Sequence, residues 1–164
     1  MNEYTIRHAR PDDADDILDL WYEYSDTLST ADERYQHKDD AGEQWRNYFL
    51  GKMTDSSRAA VHVADSEEVD GLLGVIEVRI MGAHPIFQLS QHGAVFGHHV
   101  RTEHRGNGIE EDLLEEAERW FTDEHDLPFY RVNVLTSNDS LVDLYREYGL
   151  DRVETTYEGE GSAR

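Results

Sequence analysis

The chain contains no cysteine, which excludes disulfides, thiolate metal centres and a cysteine nucleophile. Lysine is nearly missing as well: 2 lysines (Lys38 and Lys52) stand beside 13 arginines, against 18 aspartates and 18 glutamates. With a formal charge of −21 there is no basic stripe to neutralise phosphates, so nucleic acid is not an expected partner. No apolar run has spanning length and no signal pattern opens the chain, so a soluble, cytoplasmic protein without a membrane partner is expected. Only 3 prolines interrupt the sequence, leaving long stretches free for helices and strands.

What is abundant is negative charge. Self-repulsion of this size opposes compaction at low ionic strength. In molar salt the Debye length falls to about 3 Å and most of the repulsion is screened. An acidic, lysine-poor composition is similar to that of proteins from salt-accumulating halophiles. At 164 residues, one domain over residues 1–158 with a loose tail at 159–164 is expected.

Periodicity supplies the elements. Residues 4–8 alternate as a strand. Pro11, Asp12 and Asp13 open a helix to about residue 27, with Ala14, Ile17, Leu18, Trp21, Tyr24 and Leu28 on one face. Ala41, Trp45, Tyr48 and Phe49 share the face of a second helix. Ala59 to Ala64, Leu72 to Met81 and Ala94 to Arg101 are expected strands, with 82–92 irregular. Ile109, Leu113, Ala117, Trp120 and Phe121 stripe a strongly amphipathic helix, and Phe129 to Leu135 follows as a strand. Leu141, Leu144, Tyr145 and Tyr148 mark a last helix that Gly149 ends, before a final strand from Arg152 to Tyr157. The order β-α-α-β-β-β-α-β-α-β predicts a mixed α/β fold, with a mostly antiparallel sheet and helices on both faces.

One turn carries chemistry. In Arg105-Gly106-Asn107-Gly108-Ile109-Glu110, two glycines leave backbone N–H groups unshielded just where a helix begins. A loop of this kind aims those donors and the positive end of the helix dipole at one point, which suits a phosphate. The same spacing also serves an ordinary strand-to-helix turn. A second motif follows at Asn138-Asp139-Ser140-Leu141-Val142-Asp143-Leu144-Tyr145 with Arg146-Glu147-Tyr148-Gly149-Leu150, and the chain opens with Thr5-Ile6-Arg7-His8-Ala9-Arg10-Pro11-Asp12-Asp13.

In this order, over roughly residues 3–157, these segments resemble the GNAT superfamily of N-acetyltransferases. The resemblance implies acetyl-CoA as cosubstrate, with its pyrophosphate cradled by Arg105, Gly106, Asn107, Gly108, Ile109 and Glu110. The pantetheine arm would run by His98 to Val100 and the thioester would lie between that strand and Val132 to Leu135. It further implies Asn138 at the pantetheine arm and Tyr145 as the donor of a proton to the leaving thiolate. By spacing alone Tyr145 is a buried stripe residue and Asn138 a helix N-cap. An amine acceptor, small molecule or protein N-terminus or lysine, is implied; the alternative is a GNAT-fold module that binds coenzyme A or another ligand without turnover. Glu110 stands where the family has Gly or Ala, and Glu111 replaces a basic residue often found next. The chain also stops short of the family's last strand, which leaves either an exposed sheet edge or a sheet completed by a partner, a homodimer being the candidate.

Candidates for a general base are His98, His99, Glu77 and His92. Neighbouring strand residues point to opposite faces, so only one of His98 and His99 can face a cleft, and the two cannot chelate one metal. No metal site is expected, because no His/carboxylate pair has zinc spacing on one element.

The charge yields a first prediction: the protein is folded in molar KCl and loses structure as salt is removed. Circular-dichroism melts at high and low salt check it, and equal stability in both would remove the halophile reading.

Overall fold

A computed structural model describes residues 3–54 and 56–161. The chain divides into two compact units, Met1–Asn133 and Val134–Arg164. The first unit holds a five-stranded sheet in the order β1-β2-β3-β4-β5, formed by β1 (Thr5–His8), β2 (Ala59–Asp65), β3 (Leu72–Met81), β4 (His92–Val100) and β5 (Tyr130–Val132). Adjacent strands from β1 to β4 are antiparallel, and β5 joins β4 in parallel. A parallel neighbour needs a long crossover, which is supplied here by α3 (Ile109–Arg119).

Helices α1 (Ala14–Ala31) and α2 (Ala41–Tyr48) cover one face of the sheet. Ile17 and Leu20 of α1 and Phe49 after α2 form a core with Val61, Val63 and Val75, all buried. Trp21 reaches further, onto β4. A β-carbon at Gly97 would lie 2.3 Å from Cη2 of the indole, so only a glycine admits α1 this closely. On the opposite face α3 buries Leu113, Leu114 and Ala117, and Phe121 beyond its end packs on Gly93. Both faces are thus covered, as the sequence predicts.

The start of α1 is tied to the sheet by charge. Arg7 of β1 makes a two-pronged bond to Asp13, at 2.8 and 2.9 Å, and its Nε donates to Asp65 of β2 at 3.1 Å. Asp13 also accepts from the Arg10 backbone N–H. Together these bonds fix the angle between β1 and the helix that follows.

β4 carries one residue too many. Glu77 pairs with Gly97, but the next residue, Val78, pairs with Val95, so Phe96 has no counterpart and forms a β-bulge. Pairing of β5 stops at Val132, opposite Val95, one residue before the bulge. That explains why β5 is shorter than the Phe129 to Leu135 strand read from the sequence. The bulge bends β4 away from the straight course that further pairing needs.

The second unit contains α4 (Asp139–Tyr148). Asn138 caps its start by accepting from Leu141 N, and Gly149 ends it at φ 100°. The final strand expected at Arg152 to Tyr157 is absent. Residues 150–161 have no regular structure, and Val153 and Tyr157 are exposed. A strand stands on a partner ladder and a buried face, and this acidic segment has neither. Residues 159–161 are irregular and exposed, and 162–164 of the tail expected at 159–164 lie outside the described residues.

His62 of β2 is fully buried, and neither ring nitrogen has a partner. Its ring lies 4.5 Å from that of His8, its cross-strand neighbour. Burial, reinforced by His8, drives its pKa down from 6.5 to about 3. A depressed histidine pKa gives stability that is complete above the unfolded value and drains away as pH falls towards the folded one. The melting temperature should therefore fall between pH 6.5 and about 3. His62→Leu should flatten that slope and raise stability at pH 7 by about 1 kcal/mol, since an unpaired buried polar group costs roughly that or more. Thermal melts of both proteins across this pH range are the check, and an unchanged slope would assign the loss to other groups.

Candidate functional site

The segment from the end of β4 to the first turn of α3 is built by short-range bonds. Thr102–His104 forms a single 3₁₀ turn, and Gly106 and Gly108 follow at φ 79° and 88°. Gly108 is the residue before α3, and its carbonyl accepts the Asp112 N–H at 3.0 Å. The N–H groups of Ile109, Glu110 and Glu111 belong to the first turn and have no partner within the helix. A β-carbon at Gly106 would meet nothing within 4 Å, so the space over the loop is open. Open donors, two left-handed glycines and a helix N-terminus fit a pyrophosphate.

The side chains of this loop mostly fold back onto it. Arg105 donates through Nε to the Val100 carbonyl at 3.1 Å, and its Nη2 lies 3.4 Å from His99 Nδ1. Asn107 donates to the His104 carbonyl at 3.2 Å. Val100 and Ile109 are buried and anchor the two ends. Glu110 is half-buried, and its Oε2 is enclosed without a hydrogen-bond partner. Beside the loop opens a cleft of about 1060 Å³, lined by His104, Asn107 and Ile109 and by the carboxylates of Glu67, Glu68 and Glu103.

Of the candidate bases, His98 and His99 do leave β4 on opposite faces. His98 Nε2 donates to the Glu110 carbonyl at 2.9 Å, on the α3 side. His99 faces α1, with Nε2 3.3 Å from Glu23 Oε1 and its ring 5.5 Å from that of Tyr24. Burial lowers both to a pKa of about 4, so both are neutral at pH 7. His92 is stacked on Phe129, with Nδ1 on the Ser90 carbonyl at 2.9 Å. Asn138 and Tyr145 sit in the second unit, one as the N-cap of α4 and the other buried on its stripe.

Glu77 is different. It is 6% exposed, next to the bulge, and burial pushes its carboxyl up to about 7. Tyr48 OH donates to its Oε1 at 3.2 Å and Arg79 Nη2 at 2.9 Å. The Arg79 guanidinium is flanked by the rings of Tyr48, at 5.1 Å, and Phe96, at 4.4 Å. Phe96, exposed by the bulge, thus braces the arginine that holds Glu77. Sequence reading named Glu77 and missed Tyr48, Arg79, Phe96 and Glu23. Phe96-Gly97 inside a strand pattern was the one available signal, since glycine there marks a bulge or a close approach. Among the described residues no group of three or more metal-ligating side chains is gathered, and no helix is long and apolar enough to cross a membrane.

The fold is thus a five-stranded mixed sheet with helices on both faces and a glycine turn running into the crossover helix. A sequence model of the acetyltransferase (GNAT) family matches residues 15–150, so the chain belongs to that family, whose members are N-acetyltransferases that use acetyl-CoA. Similar solved structures include a transcriptional regulator from Bacillus halodurans C-125, with TM-score 0.77 and 16% identity, covering 97% of this chain and 100% of that one. A ribosomal-protein-alanine N-acetyltransferase from Brucella melitensis biovar Abortus 2308 has TM-score 0.70 and 18% identity, with 97% and 99% covered. A predicted acetyltransferase with acetyl-CoA from Clostridium acetobutylicum has TM-score 0.70 and 15% identity, with 96% of each chain covered. No curated protein matches the sequence.

Gly108 provides a test of the loop geometry. At φ 88° a side chain with a β-carbon is strained, so Gly108→Ala should destabilise the protein by about 1–2 kcal/mol in urea unfolding. Gly108→Asn should cost less, because asparagine tolerates the left-handed region. Equal effects of the two would argue that the strain lies elsewhere.

Proposed function

We propose that this chain transfers the acetyl group of acetyl-CoA directly to an amine, on a small molecule or a protein N-terminus or lysine, with Glu77 as general base. The observation that carries this reading is geometric: Glu77 is buried at a β-bulge with Tyr48 and Arg79 both on its Oε1, where burial pushes the carboxyl up to about 7 and the Arg79 ion pair works in the other direction. A base whose pKa lies near the working pH is half-ready to accept a proton and strong enough to pull it. Neutral His98 and His99, at about 4, are too weakly basic to compete.

Acetyl-CoA supplies an activated acyl thioester when bound, so no covalent enzyme intermediate is required. The backbone from Arg105 to Glu110 would hold its pyrophosphate, as the open donors and left-handed glycines suggest. Ladder groups left unpaired around Phe96 are candidates to polarise the thioester carbonyl. Glu77 takes the proton from the attacking amine while the C–N bond forms. Tyr145 is assigned the proton delivered to the departing sulfur, and Asn138 a contact to the pantetheine arm, on their motif alone. A salt-rich cytoplasm is the setting we favour, since screening there relieves repulsion between Glu110 and a phosphate.

The enclosed, unpartnered Glu110 carboxylate oxygen favours a second reading, a module that holds its ligand without turnover. Calorimetry with acetyl-CoA in high salt, on the protein and on Glu110→Gly, addresses it. Binding by neither form would end the cofactor assignment for this loop.

The pH–rate profile decides the chemistry. With an acceptor amine, or with acetyl-CoA hydrolysis as surrogate, kcat/KM should rise with pH through about 7 as Glu77 ionises. Glu77→Gln should remove that limb and lower the rate by about 10²–10⁴-fold. Tyr145→Phe should lower turnover with little change in melting temperature, because the ring stays in place. A profile unchanged in Glu77→Gln would pass the base role to water or to another residue.

A further inference from the structure

Glu23 of α1 belongs to no motif, and it sits at the root of the glycine loop. Its Oε1 accepts the Thr102 backbone N–H at 2.7 Å and the Thr102 hydroxyl at 2.8 Å. The same oxygen lies 3.3 Å from His99 Nε2, an electrostatic contact rather than an aligned hydrogen bond. Burial opposes ionisation of Glu23, yet the Thr102 bonds and His99 hold its carboxyl below the usual range. His99 is buried and neutral, at about 4, and its two nitrogens face groups of different kinds. A carboxylate on one side selects the tautomer with the proton on Nε2. That leaves Nδ1 as an acceptor for Arg105 Nη2, at 3.4 Å, and Arg105 Nε closes the path on the Val100 carbonyl.

We infer that Glu23 is a positioning residue for the cofactor loop, setting its backbone through Thr102 and Arg105 through His99. The inference rests on the assignment of residues 105–110 to the pyrophosphate. The physical need is plain. The loop carries two glycines and open space above it, so local sterics alone do not fix its donors. Hydrogen bonds from a rigid helix restrict the 3₁₀ turn from which the loop departs, and preorganised donors bind an anion without an ordering cost. Neutral His99 has a second effect: it passes the orientation of Glu23 to Arg105 without adding charge beside the guanidinium. Removing the carboxylate frees Thr102 and lets the His99 proton move to Nδ1, where it would oppose Arg105.

The experiment compares two ligands on the full chain in high salt. Acetyl-CoA carries the pyrophosphate, whereas S-acetylpantetheine carries the thioester arm without it. Binding of the first is read by calorimetry and of the second by competition. Glu23→Ala should weaken acetyl-CoA by about tenfold, roughly one charge-assisted hydrogen bond, and leave S-acetylpantetheine within about twofold. Glu23→Gln keeps an oxygen for Thr102 and should fall between, and it serves alone if the alanine variant does not fold. Equal weakening of both ligands would reduce Glu23 to a structural residue and overturn the inference, as would no change in either. Wild-type protein that binds both ligands equally would instead remove the pyrophosphate assignment, and the inference with it.

Discussion

The packing of the Trp21 indole onto Gly97 is the contact on which the rest of the site depends. A large aromatic buries much apolar area in one place, and here it does so where β4 has no side chain. That brings α1 down onto the strand, so that Glu23 reaches Thr102 and Tyr24 reaches His99. One residue before Gly97 the strand bulges and turns Phe96 outward to Arg79. Close approach on one side and a bulge beside it place the glycine loop and the Glu77 carboxyl relative to one strand.

Burial acts on the ionisable groups of this unit in opposite directions, always against charge. It lowers His62, His98 and His99 and raises Glu77. The interior is therefore nearly neutral while the surface is strongly negative. Stability falls on the acid side as the histidines demand protons. Glu77 acts in the same range with the opposite sign, because a carboxyl raised from 4.5 to about 7 contributes most below the lower value and loses that contribution as pH rises to about 7. The carboxyl proposed as general base is one that burial favours in its neutral form.

The glycine turn and the caps were legible in the sequence because each depends on a residue type with one local job. Gly106 and Gly108 occupy left-handed backbone, Asn138 caps α4 and Gly149 ends it. Of the antiparallel strands, β1 was legible from its alternation and β2, β3 and β4 from their apolar runs. The strand expected at Arg152 to Tyr157 shows the limit: alternation gives a capacity for pairing, and no neighbouring ladder takes it up. Glu23 was invisible because one acidic residue on a helix among many has no periodic signature. The bulge left only the glycine at Gly97 as a signal, and it matters most for faces. Simple alternation would group Gly93 and Val95 with His99, whereas the extra residue puts His98 on the α3 side and His99 on the α1 side.

The ion pairs that hold α1 and α2 use guanidinium groups, among them Arg7–Asp13 and Arg46–Asp15. An enzyme that works with acetyl thioesters bathes its own surface in an acylating reagent. Amines react with such reagents, and an acylated amine loses its charge. A guanidinium keeps its proton and stays non-nucleophilic at any physiological pH. With only Lys38 and Lys52 to offer, the chain is a poor target for its own cosubstrate, and its electrostatic ties are chemically inert towards it.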